Sequence, residues 1–486
     1  MTHIPLPCVQ EVSMPRQERL IILCVCLAAF TFQFEAFVIN VALPSMASEL
    51  GVSSTEISFA VIVYLLATTI ALVPAGKLGY RFGLRRTFLF GCALAAIATL
   101  VCGVSISLPM LLLSRFCQGL GIGIIVANAY AMIPVWIGPA HAGRSFGMLS
   151  LGASIGMVAG LPVGGLLADT LSWHWIFLTT VPFFVGLFWL ALGVLPKDYD
   201  RGRPRTRLDW IGLFTFGLML GCATLTLSLG AELGWHSKII ISLFALTLFC
   251  AGYMLLRRNA QAYLFNPAIF KTSGLIPGLW VLFIFSMTVG GLRFLLPFYL
   301  QLGCGLSIFA SSFFLLTYPI SFAPAGIWSG RLADRIDSRR LIIFSCLGVA
   351  LLCLVFAWFF SQLGLWFFVL FVLCFGSTSG LFFAPNNRFC LSRVPDTLKG
   401  EASALLPVAL NVGTLIGVSV FETVFTLHLP DGALLIQDNA PRSNALLSTL
   451  TQGLRDALFV AVLLLLATAF VVWLNYPSSV KAGNDQ

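Results

Sequence analysis

The sequence predicts an all-α protein that crosses a membrane many times, and two observations carry this prediction. Hydrophobic residues make up 59% of the 486 residues and charged residues only 10%. A water-soluble domain carries about 25% charged residues, so this chain could not cover a soluble surface. Apolar runs, many of the roughly 20 residues that cross a hydrocarbon core, recur from Leu20 to Trp473. The runs are continuous and do not alternate, which favours helices over a β-barrel.

Fourteen apolar runs are long enough to be membrane-spanning helices. The predicted spans cover residues 20–43, 56–75, 87–106, 109–131, 146–168, 174–195, 210–230, 239–256, 274–300, 306–328, 341–360, 362–384, 402–425 and 456–474. The two predicted spans between residues 341 and 384 are the likeliest place for a miscount, since one helix could be read there as two, or two helices as one.

The basic residues test this count. If the N-terminus is cytoplasmic, 23 of the 28 Lys and Arg fall on the cytoplasmic side. Lys238, Arg442 and Arg455 fall outside, whereas Arg115 and Arg293 lie within spans. Positive residues favour the cytoplasmic side, and an odd number of spans would break this segregation. We therefore predict a multi-pass protein of the cell (inner) membrane with both termini cytoplasmic. The net charge of +9 reflects this topology, and no nucleic-acid partner is predicted.

A short basic phrase occurs twice. "GKLGYRFGLRR" (76–86) and "GRLADRIDSRR" (330–340) lie 254 residues apart, and Pro44 and Pro297 lie in a second similar pair of segments. Near-constant offsets indicate duplication, and repeated halves are typical of transporters that rock about a midplane site. The predicted parts are a cytoplasmic N-terminal segment (1–19), an N-terminal six-helix bundle (20–195), a basic loop with two inserted helices (196–273), a C-terminal six-helix bundle (274–474) and a cytoplasmic tail (475–486).

Two charged residues in different spans are predicted to share one depth. Glu35 lies roughly 10–13 Å below the outer end of the first span, and Arg115 lies roughly 9 Å below the same face in the fourth. An isolated charge is costly in hydrocarbon, so each should face the interior and seek a partner. The pair is either a proton-coupling site or a static polar clamp between helices.

Two further intramembrane charges have no obvious partner in sequence. Arg293 precedes Pro297 in the ninth span. It either contacts an anionic or zwitterionic substrate in a cavity or extends to the outer interface. Glu422 is predicted near the outer face, in solvated surroundings. We expect a substrate cavity that includes Asn40, Gln118 and Arg293.

Several motifs resemble one membrane-protein family. The segments that carry the resemblance are "FEAFVINVALP" (34–44), the first basic phrase, "LLLSRFCQGLGIG" (111–123), "GMVAGLPVGGLL" (156–167), "SWHWIFLTTVPF" (172–183) and "PNNRFCLSRVPDTLKGEAS" (385–403). They are similar to motifs of the major facilitator superfamily, and within it to the fourteen-span drug:proton antiporters. The chain departs from these motifs at Glu35, where Asp is usual, at Tyr80, where an acid is usual, and at Pro162, one place late.

The resemblance implies the superfamily's fold, with two six-helix bundles and two inserted helices, and a proton-coupled exporter of small amphipathic molecules. It assigns gating roles to Gly76, Arg81, Gly83, Arg85, Arg86, Gly330, Asp334, Arg335, Arg339 and Arg340. It assigns an antiporter motif to Gly156, Gly160, Pro162, Gly164 and Gly165. With Gly152, these glycines form a small-residue stripe that either seals the halves together or simply packs closely.

Other classes of function are less well supported by the residues. A permease for a specific anionic metabolite, working by uptake or exchange, remains an alternative because of Arg293. An enzyme would need a nucleophile or metal constellation, but the five histidines lack ligand spacing and no Walker motif occurs. The predicted partners are a small-molecule substrate, protons and the lipid bilayer, for a chain that acts as a monomer without cofactor or metal.

Overall fold

A computed structural model describes residues 15–137, 139–197, 209–257, 272, 274–333, 335–392, 394–395, 399–427 and 444–475. Within these ranges fourteen helices are long and apolar enough to cross a membrane. They are α1 (Arg16–Leu50), α2 (Ser54–Phe82), α3 (Leu84–Gly103), α4 (Leu108–Trp136), α5 (Pro139–Thr170), α6 (His174–Val194), α7 (Trp210–Leu233), α8 (Lys238–Leu256), α9 (Leu275–Phe298), α10 (Ile308–Ala333), α11 (Ser338–Phe359), α12 (Gly364–Ser392), α13 (Lys399–Thr426) and α14 (Asn444–Asn475).

The predicted all-α architecture with fourteen spans is confirmed. The pair flagged as most easily miscounted is two helices joined at Gly364, whose positive φ of 70° breaks the helical path between α11 and α12. Such a φ suits glycine, which has no Cβ to clash with the backbone. Helix α9 continues into a single π-helical segment, Tyr299–Gly303.

The helices form two halves that match the predicted repeat. In the first half α1 packs on α4, α5 and α6, α2 on α4, and α3 on α4 and α6. In the second half α9 packs on α13 and α14, while α10 and α14 both pack on the α11–α12 pair. The halves meet where α5 packs on α10 and α2 packs on α13. Helices α7 and α8 pack on each other, and α7 also contacts α2 and α13.

Connections between consecutive helices alternate between two ends of the bundle. We call the end where α1 begins and α2 ends the basic end, because both copies of the basic phrase lie there. The other is the opposite end. At the basic end Asp209 caps α7, accepting from the Gly212 amide at 2.9 Å, and forms an ion pair of 3.0 Å with Arg257 after α8. This pair joins the ends of the two inserted helices.

The structure places two arginines, which lie just outside the predicted spans 362–384 and 456–474, within helices. Arg455 lies within α14, and its guanidinium stacks 5.1 Å from the ring centre of Trp358. Arg388 lies within α12 and donates to the carbonyl of Ala333 at the end of α10. Both helices are longer than their apolar segments, because a polar residue near a helix end can remain helical while its side chain contacts a neighbouring helix.

Candidate functional site

A cavity of about 340 Å³ lies between the two halves. Helices α1, α2, α4 and α5 of the first half and α9, α10, α12 and α13 of the second half line it. Its wall includes Phe37, Asn40, Tyr64, Leu72, Arg115, Tyr130, Arg293, Tyr318, Phe383, Pro407 and Asn411. This volume falls within the range of small-molecule pockets, about 300–1,000 Å³.

The cavity reaches from beyond the middle of the bundle, on the side of the opposite end, towards the basic end. Asn40 and Arg293 mark its deep end, and Tyr130 and Pro407 lie near the ends of helices at the basic side. Beyond the deep end the halves touch. The side-chain amide of Gln301 donates to the carbonyl of Val41 at 2.7 Å, across the two halves. The structure is therefore closed at the opposite end.

Glu35 and Arg115 meet, as their shared depth predicted. The Arg115 guanidinium nitrogen Nη1 lies 3.6 Å from Glu35 Oε2, and both side chains are almost completely buried. Arg115 also donates to the Ala60 carbonyl at 3.2 Å, and its guanidinium lies 4.1 Å from the Tyr64 ring centre. Neither Glu35 oxygen has a hydrogen-bond partner among the described residues. Arg115 is held by these contacts, whereas the Glu35 carboxyl has the Thr180 and Gln118 side chains nearby but no hydrogen bond of normal geometry to either.

Only one residue of the Glu35–Arg115 pair lines the cavity. Arg115 lines the cavity, while Glu35 lies behind it, with the Thr180 side chain of α6 beside the carboxyl. Gln118, expected in the cavity wall, also lies behind Arg115. It accepts from Arg115 at 2.5 Å and donates to the Thr99 hydroxyl of α3 at 2.7 Å. One helical turn separates Arg115 from Gln118, so the two side chains share a face but reach different neighbours.

Arg293 lies at the deep end of the cavity, together with Asn40. Its guanidinium carbon lies 4.9 Å from the ring centre of Phe37 and 5.5 Å from that of Tyr318. Phe37 belongs to the first half and Tyr318 to the second. Arg293 therefore faces the centre of the protein at the junction of the halves, and not the outer interface.

The glycine stripe packs mostly within one half. Gly152, Gly156, Gly160 and Gly164 of α5 face the backbone of α1 so closely that an added Cβ would collide with the carbonyls of Cys26, Phe30, Phe34 and Val38. Both series advance by four residues, so the two helices run together over three turns. Only Gly165 contacts the other half, where its neighbour is Ser312 of α10. Pro162 lies within α5.

The two basic phrases make equivalent contacts. Arg85 donates to the Leu192 carbonyl at the end of α6, and Arg339 donates to the Trp473 carbonyl at the end of α14. Each arginine caps the last helix of its own half, where unpaired carbonyls and the helix dipole favour a cation. Gly83 has a φ of 103° and joins α2 to α3.

Six other gating residues are placed by the structure, and one is not. Arg81 stacks on the Phe82 ring at 5.2 Å, and the backbone amide of Arg335 donates to the Leu332 carbonyl at 3.0 Å. Gly76 and Gly330 each have open space where a side chain would begin. Arg86 and Arg340 lie in the first turns of α3 and α11. Asp334 lies outside the described residues.

Glu422 does not lie in a solvated interface, because only 1% of its surface is exposed. Its neighbour Thr423 donates to the Leu227 carbonyl of α7 at 2.8 Å. Phe425, one turn later, packs against Gly453 of α14. The helices that cover this part of α13 come from distant parts of the chain, which the local sequence pattern does not reveal. The aromatic partners of the two arginines, Tyr64 and Tyr318, were missed for the same reason.

Comparison with known proteins identifies the family. The sequence profile of the Major Facilitator Superfamily matches residues 25–211 and 203–418. The chain belongs to the Major Facilitator Superfamily. A Pectobacterium atrosepticum member named "Putative multidrug resistance protein MdtD" is 30% identical over 397 residues, covering 80% of this chain and 84% of the relative. A Salmonella heidelberg protein of the same name is 29% identical over 420 residues, covering 84% and 86%.

These relatives and the fourteen spans support the multidrug branch of the Major Facilitator Superfamily. Solved superfamily structures share the fold. A D-xylose-proton symporter has a TM-score of 0.67 at 14% identity, covering 95% of this chain and 98% of the symporter. A POT family peptide transporter has a TM-score of 0.66 at 16% identity, covering 96% and 99%. The predicted superfamily fold is confirmed.

Proposed function

We propose that this superfamily transporter couples proton movement to the export of drugs or other small amphipathic organic molecules by alternating access. The observation that carries the proposal is the buried Glu35–Arg115 pair at the wall of the central cavity. A carboxyl that exchanges a proton must gain and lose charge during the cycle. Burial favours its neutral form and a nearby arginine favours its ionised form, so the balance depends on how the arginine is engaged.

The geometry of the pair supports exchange more than a static clamp. At 3.6 Å the Glu35 oxygen is beyond hydrogen-bond distance from Arg115, and neither carboxyl oxygen is hydrogen-bonded within the described structure. A clamp would use those oxygens in short, charge-assisted bonds. Because Arg115 stands between the carboxyl and the cavity, a ligand that attracts Arg115 would loosen its hold on Glu35.

The closed opposite end supports a carrier that opens alternately at its two ends. Gln301 and Gly165 hold the halves together there, and the cavity extends towards the basic end. We propose that the basic end is cytoplasmic, that both termini lie there, and that the chain acts as a monomer in the cell membrane. The two basic phrases would then stabilise each half at the cytoplasmic face, and Asp334 would contribute to gating between them.

A second candidate is a permease for a specific anionic metabolite, by uptake or exchange. The observation that favours it is Arg293, a cation at the deep end of the cavity. The two candidates differ in their proton requirement and in their range of substrates. A structurally diverse substrate panel separates them, because a specific permease transports one metabolite and its near analogues, whereas an exporter of amphipathic molecules transports compounds with many different skeletons.

The test of proton coupling is transport in proteoliposomes with an imposed pH gradient. Glu35→Gln keeps size and polarity but cannot ionise, so we expect loss of gradient-driven transport with folding and substrate binding retained. Glu35→Asp should keep partial activity. Glu49→Gln is the matched control, because Glu49 lies on the same helix with 53% of its side chain exposed. Wild-type substrate-coupled proton flux in Glu35→Gln would show that Glu35 is not the coupling acid.

A further inference from the structure

The charged residues described in the wall of the central cavity are all positive. Two charged side chains, Arg115 and Arg293, line it, and no Asp or Glu is among the described residues of its wall. The two arginines are not equivalent. Arg115 has Glu35 at 3.6 Å, so its charge is largely balanced from behind the wall. Arg293 forms no ion pair with a described residue, and it therefore gives the deep end of the cavity a net positive charge.

The surroundings of Arg293 leave its Nε–H group available, while the Tyr318 hydroxyl lies beside the guanidinium. Phe37 and Tyr318 lie near the guanidinium at 4.9 and 5.5 Å, and such aromatic contacts stabilise the faces of a cation. The five N–H donors of a guanidinium point along its edges, in the plane that matches a carboxylate. The Nε–H group is buried and has no acceptor within the described structure. A buried donor without an acceptor is costly, so a ligand that supplies one is favoured.

The rest of the cavity selects an apolar body. Beyond Arg293 the wall towards the basic end is mainly apolar, with Phe322, Phe383 and Val289 among its residues. A ligand that fills this space must combine one anionic group with an apolar skeleton. Asn40 lies beside Arg293 at the same deep end, and its side-chain amide donates to the Ala36 carbonyl at 3.0 Å.

We propose that the cavity binds amphipathic organic carboxylates, with the carboxylate on the edge of Arg293 and the apolar body towards the basic end. This inference rests on the proposed transport function and specifies its substrate class. It predicts that a carboxylate binds more tightly than a neutral molecule of the same shape, and that a quaternary ammonium of similar size binds weakly. It also predicts that the anionic group alone, without an apolar body, is a poor ligand.

The test is equilibrium binding to the purified full-length protein in detergent, measured by calorimetry. The probes are 2-naphthylacetate, its neutral amide 2-naphthylacetamide, a naphthylethyl-trimethylammonium ion and acetate. We expect naphthylacetate to bind about tenfold or more tightly than the amide, the gain typical of a buried hydrogen bond to a charged group. Arg293→Gln should remove this preference, and Arg293→Lys should retain part of it.

The matched control is Arg455→Gln. Arg455 is also an arginine in a span stacked on an aromatic ring, but it is not among the residues that line the cavity. It should keep the wild-type preference. Equal binding of carboxylate and amide by the wild-type protein, tighter binding of the ammonium, or an unchanged preference in folded Arg293→Gln would each overturn the proposal. Acetate binding as tight as naphthylacetate would overturn the role of the apolar body.

The outcome of this binding test does not depend on proton coupling, because binding in detergent requires no pH gradient. Normal transport by Glu35→Gln together with a carboxylate preference would reject the coupling role of Glu35 and leave the substrate class standing. Loss of transport in Glu35→Gln together with no carboxylate preference in the wild-type protein would support the coupling role of Glu35 and reject the substrate class.

Discussion

Replacing Arg115 should reveal how strongly the buried pair stabilises the protein. The charged atoms of Arg115 and Glu35 lie 3.6 Å apart. At an effective dielectric constant of about 20 their attraction is about 4–5 kcal/mol. Arg115→Met removes this attraction while filling similar space, and it leaves a buried carboxyl without its partner. Breaking a buried pair in this way costs about 3–5 kcal/mol, so we expect a clear fall in the unfolding temperature.

A double-mutant cycle isolates the interaction. Arg115→Met combined with Glu35→Gln leaves no buried charge at the site, so the double variant should unfold at a higher temperature than Arg115→Met alone. Arg115→Lys should fall between the wild type and Arg115→Met, because lysine keeps the charge but not the planar contact with Tyr64. Unfolding temperatures in detergent, followed by tryptophan fluorescence, give the four corners of the cycle. Simple addition of the two single losses would refute the interaction.

Two further predictions concern topology and packing. Single cysteines placed in a cysteine-free background should be labelled from outside the cell at Ser443 and not at Ser338, and the reverse pattern would refute the proposed orientation. Gly156→Ala should destabilise the protein by about 1–3 kcal/mol, because its Cβ would lie 3.0 Å from the backbone carbon of Phe30. Gly147→Ala on the same helix has nothing within 4 Å, so it should unfold like the wild type.

The membrane fold was largely predictable because it depends on local composition. A span is a run of apolar residues of fixed length, and that property is visible without any knowledge of neighbours. The repeat was predicted because the two basic phrases share Gly, Leu and Arg at matching places. Even the Glu35–Arg115 contact followed from helix geometry, since depth in the membrane can be counted along each helix from its end.

Features that depend on packing between distant helices were not predictable. The sequence placed Glu422 in a solvated interface, but α7 and α14 cover its part of α13. Gln118 was expected in the cavity, but it bonds to Thr99 of α3. The glycine stripe was open to two interpretations, and only the structure shows that four of its glycines face α1. In each case the depth of the residue in the membrane could be predicted from the sequence, but the direction in which it points around the helix axis could not.

The halves meet along two seams, one between α2 and α13 and one between α5 and α10, and the two seams differ in the helices that surround them. Helix α7 contacts both α2 and α13, so a protein helix covers the seam between those two helices. Within the described structure neither inserted helix packs on the seam between α5 and α10. Ile155 of α5 and Phe313 of α10 are each about half exposed. A movement of one half against the other must therefore shift α2 and α13 along α7 at one seam, whereas α5 and α10 move past each other with no inserted helix attached.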